Sequence, residues 1–178
     1  MVGTGEHVVL LDDEHRHIGV ADKGTVHSAD TPLHLAFSCY VRNAGGRVLM
    51  TRRALSKATW PGVWTNSFCG HPAPAEDVVD AVARRATQEL GIRLTDVQVV
   101  LPGFAYRAVD ASGVVENELC PVFTARTTDE PAPDPAEVCE WRWVDWADLA
   151  QTARRAPWAL SPWSVLQVRE LSASWGEV

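Results

Sequence analysis

Apolar runs bounded by turn residues recur along the chain, interrupted once by a stretch of different period. "HVVLLD" (7–12) and "LHLAFSCYVRN" (33–43) predict strands. "NAGG" (43–46) is a hairpin-type turn leading into a third strand, "RVLMTRR". After the Gly/Pro-rich loop "WPGVWTNSFCGHPAPAE" (60–76), the period lengthens in "EDVVDAVARRATQELG" (76–91), where Val78, Val82, Ala86 and Leu90 recur at steps of four. That spacing lines one face of a helix, and Gly91 is a natural terminator for it. "VQVVLPGFAYRAV" (97–109) and "ELCPVFTART" (118–127) predict strands again, joined through the turn "DASG" (110–113). "TTDEPAPDPAE" (127–137) is a polar, proline-rich surface loop, because too little chain follows it to build a second domain. "VCEWRWVDW" (138–146) predicts a last strand, and the remainder two short helices around "APWALSPW" (156–163). Strands flanking one central helix, with helices added late, make an α+β sandwich in a single domain spanning 1–178.

Composition narrows the function classes. Hydrophobic residues are 46% and charged residues 22%, an ordinary globular balance. A net charge of −7 speaks against a general nucleic-acid binder, which needs a basic face, but leaves room for a small anion held by a local basic cluster. The N-terminal residues lack a basic segment followed by a long apolar run, so no secretory signal is expected. No stretch reaches the roughly 18 apolar residues of a membrane span, so no membrane insertion is expected. Cys39, Cys69, Cys120 and Cys139 are scattered without a Cys-x-x-Cys pair, which favours reduced thiols and a cytoplasmic location over a disulfide framework. Oligomeric state has no signature in the chain.

The candidate chemistry starts at "FCGHP", which puts Cys69 and His71 two residues apart at the mouth of the predicted helix. Either alone reads as a buried thiol or a loop imidazole. The segment 70–92, "GHPAPAEDVVDAVARRATQELGI", changes that, because it resembles the Nudix box: Gly70, Glu76, Arg84, Glu89, Gly91 and Ile92 stand in register with it. Two of the three clustered carboxylates of that pattern are replaced, by Arg85 and Gln88, leaving Glu89. Positions 85, 88 and 89 share one helical face. Three carboxylates there would hold hard divalent cations and activate water for diphosphate cleavage. An arginine presents instead a planar donor fork that matches phosphate oxygens. The helix therefore reads as a diphosphate holder and a poor diphosphate hydrolase.

Beyond the box, "HSADTPLHLAFS", "TRRALSKATWPGVWTNSFCGHP", "YRAVDASGVVENELCPVF" and "PWALSPW" resemble the type 1 isopentenyl-diphosphate isomerases, a Nudix-fold family, over about residues 6–163. The resemblance implies an α/β/α sandwich with a mixed sheet and a reaction that moves a double bond between isopentenyl and dimethylallyl diphosphate. An unactivated alkene is not acidic enough for direct deprotonation. The chemistry therefore calls for protonation to a tertiary carbocation, proton removal from the neighbouring methylene, and a charge-stabilising wall that does not attack.

The resemblance implies Cys69 and Glu118 as the catalytic pair. Proton delivery falls to the Glu118 side with Tyr106, and proton removal to Cys69, whose thiol is expected to be moved toward neutrality by its neighbours. Trp163 matches an aromatic wall, whose face can hold a cation. Glu116 and Glu118 alternate on a predicted strand and so share a face, where two like charges call for a cation. With His27, His34 and His71 the resemblance implies a His3Glu2 site for one Mn2+ or Mg2+, a donor set suited to six-coordination. Lys23, Arg53, Lys57 and Arg85 match diphosphate contacts, with Glu89 holding one Mg2+ that arrives with the substrate near Cys69. Arg52 and Arg84 read as structural. A Nudix pyrophosphohydrolase, or a non-catalytic metal-binding Nudix module, stands as the alternative.

Overall fold

In the computed structural model, which describes residues 6–175, the chain begins β1 (His7–Leu11), β2 (His17–Asp22), α1 (Lys23–Val26), β3 (His34–Leu35), β4 (Phe37–Arg42), β5 (Val48–Arg53), β6 (Trp64–Thr65), β7 (Phe68–Gly70) and α2 (Val78–Leu90). It continues β8 (Thr95–Leu101), β9 (Ala105–Val109), β10 (Val115–Leu119), β11 (Val122–Arg126), β12 (Val138–Val144), α3 (Trp146–Arg155), a 3-10 turn (Pro157–Ala159) and α4 (Pro162–Trp175). The ends of the expected domain, 1–5 and 176–178, lie outside the described residues. Among the described residues no helix is long and apolar enough to cross a membrane.

The mixed sheet is present twice. One sheet has the order β2-β1-β3-β10-β9 and the other β12-β5-β4-β11-β8, with β6 on β5 and β7 on β4. Each contains one parallel pair, β3 with β10 and β4 with β11. Three stretches that the sequence pattern predicts as continuous strands, 33–43, 97–109 and 118–127, each break and pass from one sheet to the other. Pro102 and Pro121 lie at two of the breaks, where a missing N–H cannot continue a ladder. The breaks are tied together by Ala36 N–H to Leu119 O at 2.9 Å, Ser38 N–H to Pro121 O at 3.1 Å and Cys120 N–H to Phe104 O at 2.8 Å.

Period-two alternation explains the layers. Phe37, Cys39 and Val41 of β4 pack with Leu49, Phe123 and Ala125 against Ala81, Val82, Ala86 and Leu90 of α2. Tyr40, Val48, Met50 and Val122 face the other way, against Leu149, Ala150 and Ala153 of α3 and Trp163, Val168 and Leu171 of α4. A sheet buried on both faces reads as an apolar run rather than as alternation, which is why "LHLAFSCYV" looks uniformly apolar. The α2 stripe is buried at Val82, Ala86 and Leu90, with Val78 half-exposed at the helix start. Asp77 caps that start by accepting from Val79 N–H at 2.8 Å. Gly91 ends the helix in the left-handed region, φ 66°.

The loop at 60–76 folds into a wedge. β4 and β5 pair only at Arg42 and Val48 and then part. β7 runs along β4 and β6 along β5, so Asn66 and Ser67 stand at the fork. Ser67 Oγ donates to Leu49 O at 2.6 Å and accepts from Val41 N–H at 2.8 Å, closing one leg onto the other. Asn66 Nδ2 donates to Cys39 O at 3.2 Å and Phe68 O at 2.6 Å. Buried backbone groups that the parted strands would leave unpaired are satisfied by these two side chains. Gly70 is required because a Cβ there would meet Phe37 Cζ at 2.8 Å and Arg85 Cγ at 2.9 Å.

Candidate active site

Where the two sheets meet, a cavity of about 200 Å³ opens between β7, the outer face of α2, β9, β10 and the start of α4. Of the residues singled out from the sequence, Lys23, His27, Arg53, Lys57, Cys69, His71, Arg85, Glu89, Tyr106, Glu116, Glu118 and Trp163 all line it. His34 does not reach the wall; it lies fully buried behind it, beside His27 and His71.

The chain assembles one end from β3, β7 and β10. Donor atoms of His27, His34, His71 and Glu118 all lie within 4.8 Å of one another. Glu118 Oε1 is 3.1 Å from His71 Nε2 and 3.5 Å from His34 Nε2. His34 Nδ1 is 2.9 Å from Pro32 O, which makes Nδ1 the protonated nitrogen and leaves Nε2 with its lone pair toward the cluster. His27 Nε2, His34 Nε2 and His71 Nδ1 are buried with no hydrogen-bond partner. Buried imidazole nitrogens without partners, beside an ionised carboxylate, fit a divalent cation. Burial, then the neighbouring His34 and His71, pushes His27 down to about 4. Burial likewise lowers His71 against the pull of Glu118. Burial also opposes protonation of His34, yet the adjacent Glu118 carboxylate prevails and raises it. Burial by itself would raise Glu118; the adjacent His34 and His71 hold it well below the usual carboxylate range.

Glu116 stands next to this cluster, facing the same way from β10 as the period-two argument requires, but both its oxygens are engaged. Thr59 Oγ1 donates to one at 2.6 Å and Tyr106 OH lies 2.6 Å from the other. The Tyr106 hydroxyl is also 2.9 Å from Glu118 Oε2, so the phenol bridges the two carboxylates. Burial, then the Glu118 charge, raises Glu116, and burial with both carboxylates raises Tyr106. The phenol has one O–H, so it donates to one of the two carboxylates at a time.

Cys69, on β7, is half-buried and lines the same cavity. Its thiol donates to Asn66 Oδ1 at 3.3 Å and lies 3.3 Å from Ser38 Oγ. Burial pushes it up to about 12, opposed by those two hydrogen bonds. The expected shift toward neutrality is therefore corrected: burial outweighs the two hydrogen bonds and the Arg53 charge and raises the thiol. Trp163, from α4, is 1% exposed and donates Nε1–H to Asn66 Oδ1 at 3.1 Å. Its ring centroid is 5.6 Å from that of Tyr106, and the Arg53 guanidinium carbon lies 5.5 Å from it.

Four cations line the same cavity, each held by a carboxylate or a carbonyl. Lys23 pairs with Glu6 at 2.5 Å and Lys57 pairs with Glu137. Arg53 donates to Thr59 O at 2.9 Å. Arg85 forks onto Glu89, with Glu6 at 3.3 Å and Glu137 at 3.7 Å. Burial lowers Arg85, but Glu89 and then Glu6 and Glu137 outweigh it and raise it. Burial raises Glu89 despite the Arg85 charge. Arg52 and Arg84 are structural: Arg52 pairs with Glu140 at 2.7 Å, and Arg84 pairs with Glu76 at 2.7 Å while donating to His71 O at 3.3 Å. Sequence reasoning missed Glu6, Glu137, Thr59, Ser38 and Asn66. Glu6 and Glu137 are far apart in the chain and carry no motif. Asn66 stands in the short polar run Thr65–Ser67, with no spacing that marks it.

A model of the NUDIX domain matches residues 32–164. The chain is 61% identical to the "Isopentenyl-diphosphate Delta-isomerase" of Frankia alni over 94% of its own length and 86% of the relative's. It is 59% identical to the protein of the same name from Kocuria rhizophila, covering 94% of this chain and 93% of that one. Among solved structures, a Deinococcus radiodurans protein superposes with a TM-score of 0.69 at 19% identity, covering 93% of this chain and 98% of that one, a likeness of fold alone.

Proposed function

Because the chain belongs to the NUDIX family and, within it, to the isopentenyl-diphosphate Delta-isomerases, we propose that the cavity performs the isomerisation with Cys69 and Glu118 on opposite walls of the bound hydrocarbon. The enzyme interconverts isopentenyl and dimethylallyl diphosphate. The observation that carries the site assignment is the shared lining: Cys69, Tyr106, Glu118 and Trp163 border the same cavity as Lys23, Arg53, Lys57 and Arg85.

The diphosphate sits at the cationic end and takes over bonds now made by Glu6, Glu137 and the Thr59 carbonyl. Glu89 would hold the Mg2+ that travels with it, with Glu137 close by. The Arg85 and Gln88 replacements remove the carboxylates that would activate water, so the phosphoanhydride stays intact. One of the two sides, the Cys69 thiol or the Tyr106–Glu118 pair, delivers a proton to the terminal alkene carbon, and the other removes one from the methylene. Thiol and carboxylate hold one transferable proton between them, so the roles exchange when the reaction runs backwards. The carbocation between them faces Trp163, whose π-face attracts charge and offers no good nucleophile.

His27, His34, His71 and Glu118, with Glu116 as fifth ligand, would hold one Mn2+ or Mg2+, which would supply a fixed positive charge that lowers the proton affinity of Glu118. Four unpaired cysteines accord with a reducing cytoplasm.

Incubation with isopentenyl diphosphate in D2O, followed by NMR, tests the reading. Deuterium should enter dimethylallyl diphosphate while pyrophosphate release stays at background. Stoichiometric pyrophosphate release without label in the hydrocarbon would overturn it in favour of a hydrolase.

A further inference from the structure

Asn66 lies fully buried at the fork, and its amide orientation is fixed by its surroundings. Both Nδ2 hydrogens go to backbone carbonyls, Cys39 O at 3.2 Å and Phe68 O at 2.6 Å. Flipping the amide would aim its oxygen at those carbonyls and its NH2 at the Trp163 indole, which only donates. Oδ1 therefore points into the site and receives three donors: Thr65 Oγ1–H at 2.8 Å, Trp163 Nε1–H at 3.1 Å and the Cys69 thiol at 3.3 Å. The fork needs only the Nδ2 side of this residue. A residue present merely to join the strands would not have to place its acceptor between the thiol and the aromatic wall.

We propose that Asn66 is a positioning residue for the isomerisation, its Oδ1 fixing the Cys69 thiol and polarising the Trp163 indole so that both halves of the carbocation site share one anchor. The inference rests on the proposed roles of Cys69 and Trp163. On the cysteine side, Gln167 Nε2 donates to Ser38 Oγ at 2.9 Å, which frees the Ser38 hydrogen for sulfur, either Cys69 or Cys120, each 3.3 Å away. Cys69 can thus accept from Ser38 while donating to Asn66, and its rotation is set from both sides. On the tryptophan side, an acceptor on the indole N–H draws the hydrogen away and leaves electron density on the ring, making the face toward the cavity more negative. That face attracts a cation in the ligand-free molecule, where the Arg53 guanidinium carbon lies 5.5 Å from the centroid. The polarisation acts on positive charge, so its effect belongs to the transition state and to cationic ligands, not to the neutral alkene.

The test combines Asn66→Ala with Trp163→Phe, whose ring has no N–H to donate. It measures kcat and KM for isopentenyl diphosphate and the Kd of an ammonium analogue with its charge at the branching carbon. Asn66→Ala should lower kcat by about 10–100-fold with KM within about twofold, and weaken the ammonium analogue about tenfold. In the Trp163→Phe background the same change should cost clearly less on both measures. Equal losses in the two backgrounds, with KM and kcat moving together, would reduce Asn66 to a stitch in the fork. Should Asn66→Ala fail to fold, Trp163 replaced by its benzothienyl isostere keeps the face and removes the donor. Unchanged kcat and ammonium affinity in that protein would overturn the proposal. Native enzyme assayed alongside in D2O separates the outcomes, since absence of label there would reject the isomerase site itself.

Discussion

Cys69 and Glu118 are pushed in opposite directions, burial raising the thiol, and His34 and His71 lowering the carboxylate against its own burial. Removing either should lower turnover by about 10²–10⁴-fold, the usual worth of one proton-transfer group. The two differ in a second readout. Glu118→Gln takes away an oxygen shared with His34 and His71 and should lose bound metal, whereas Cys69→Ala should retain it. Metal analysis of the purified variants decides; equal loss in both would remove Glu118 from the ligand set. For Trp163, a desolvated cation–π contact is worth about 2 kcal/mol, or roughly 30-fold in rate. Trp163→Leu should therefore lower kcat by about that factor with KM little changed, and Trp163→Phe by less. Equal losses would leave Trp163 a packing residue.

At the scale of elements, α2 carries the cation end of the site on one face and the core on the other, so its termini matter in different ways. Gly70, at the end of β7 just before the helix, touches both the Phe37 ring and the Arg85 stem. Gly70→Ala should lower stability by about 1–3 kcal/mol through overpacking and weaken substrate binding by displacing Arg85. Gly91 lies at the far end, with φ 66° and Ala132 O only 2.9 Å from where a Cβ would stand. Gly91→Ala should cost about 1–2 kcal/mol in strain while leaving KM unchanged. Thermal unfolding and steady-state kinetics on the two variants check the contrast, and a KM change in Gly91→Ala would show that the whole helix shifts. The wedge made by β6 and β7 has no comparable sequence signature, because two- and three-residue strands around a fork leave no period to read.

The molecule as a whole should answer to pH through its histidine cluster. In the metal-free chain His27 is held down to about 4 from 6.5, with His71 also lowered, so the folded form binds fewer protons than the unfolded one. Stability then falls as the pH drops from about 6.5 toward 4. His34, raised by Glu118, contributes in the opposite sense: its stabilisation is present below 6.5 and is lost as the pH rises through its folded value. Glu118, lowered, adds a loss at more acid pH. The thermal midpoint of chelator-treated protein should therefore decline over this window, and His27→Gln should flatten the decline; an unchanged slope would place the titration elsewhere. Added Mn2+ or Mg2+ should raise the midpoint at neutral pH and lose that effect on acidification, as protons compete for the same nitrogens. The sequence by itself determined the sandwich, the central helix with its stop, the resemblance to the isomerases, and the Cys, Glu, His and basic residues named for the chemistry. These are local periods, turn chemistry and motifs with fixed spacing, all written along one chain. Only the tertiary structure decided that three predicted strands divide between two sheets, because both pairings of such a run bury apolar residues equally well. It alone brought Glu6 and Glu137 to Arg85, placed Thr59 between Arg53 and Glu116, and set Asn66 between Cys69 and Trp163. Those contacts join residues from distant parts of the chain or from inside an irregular wedge, and no period or spacing encodes them.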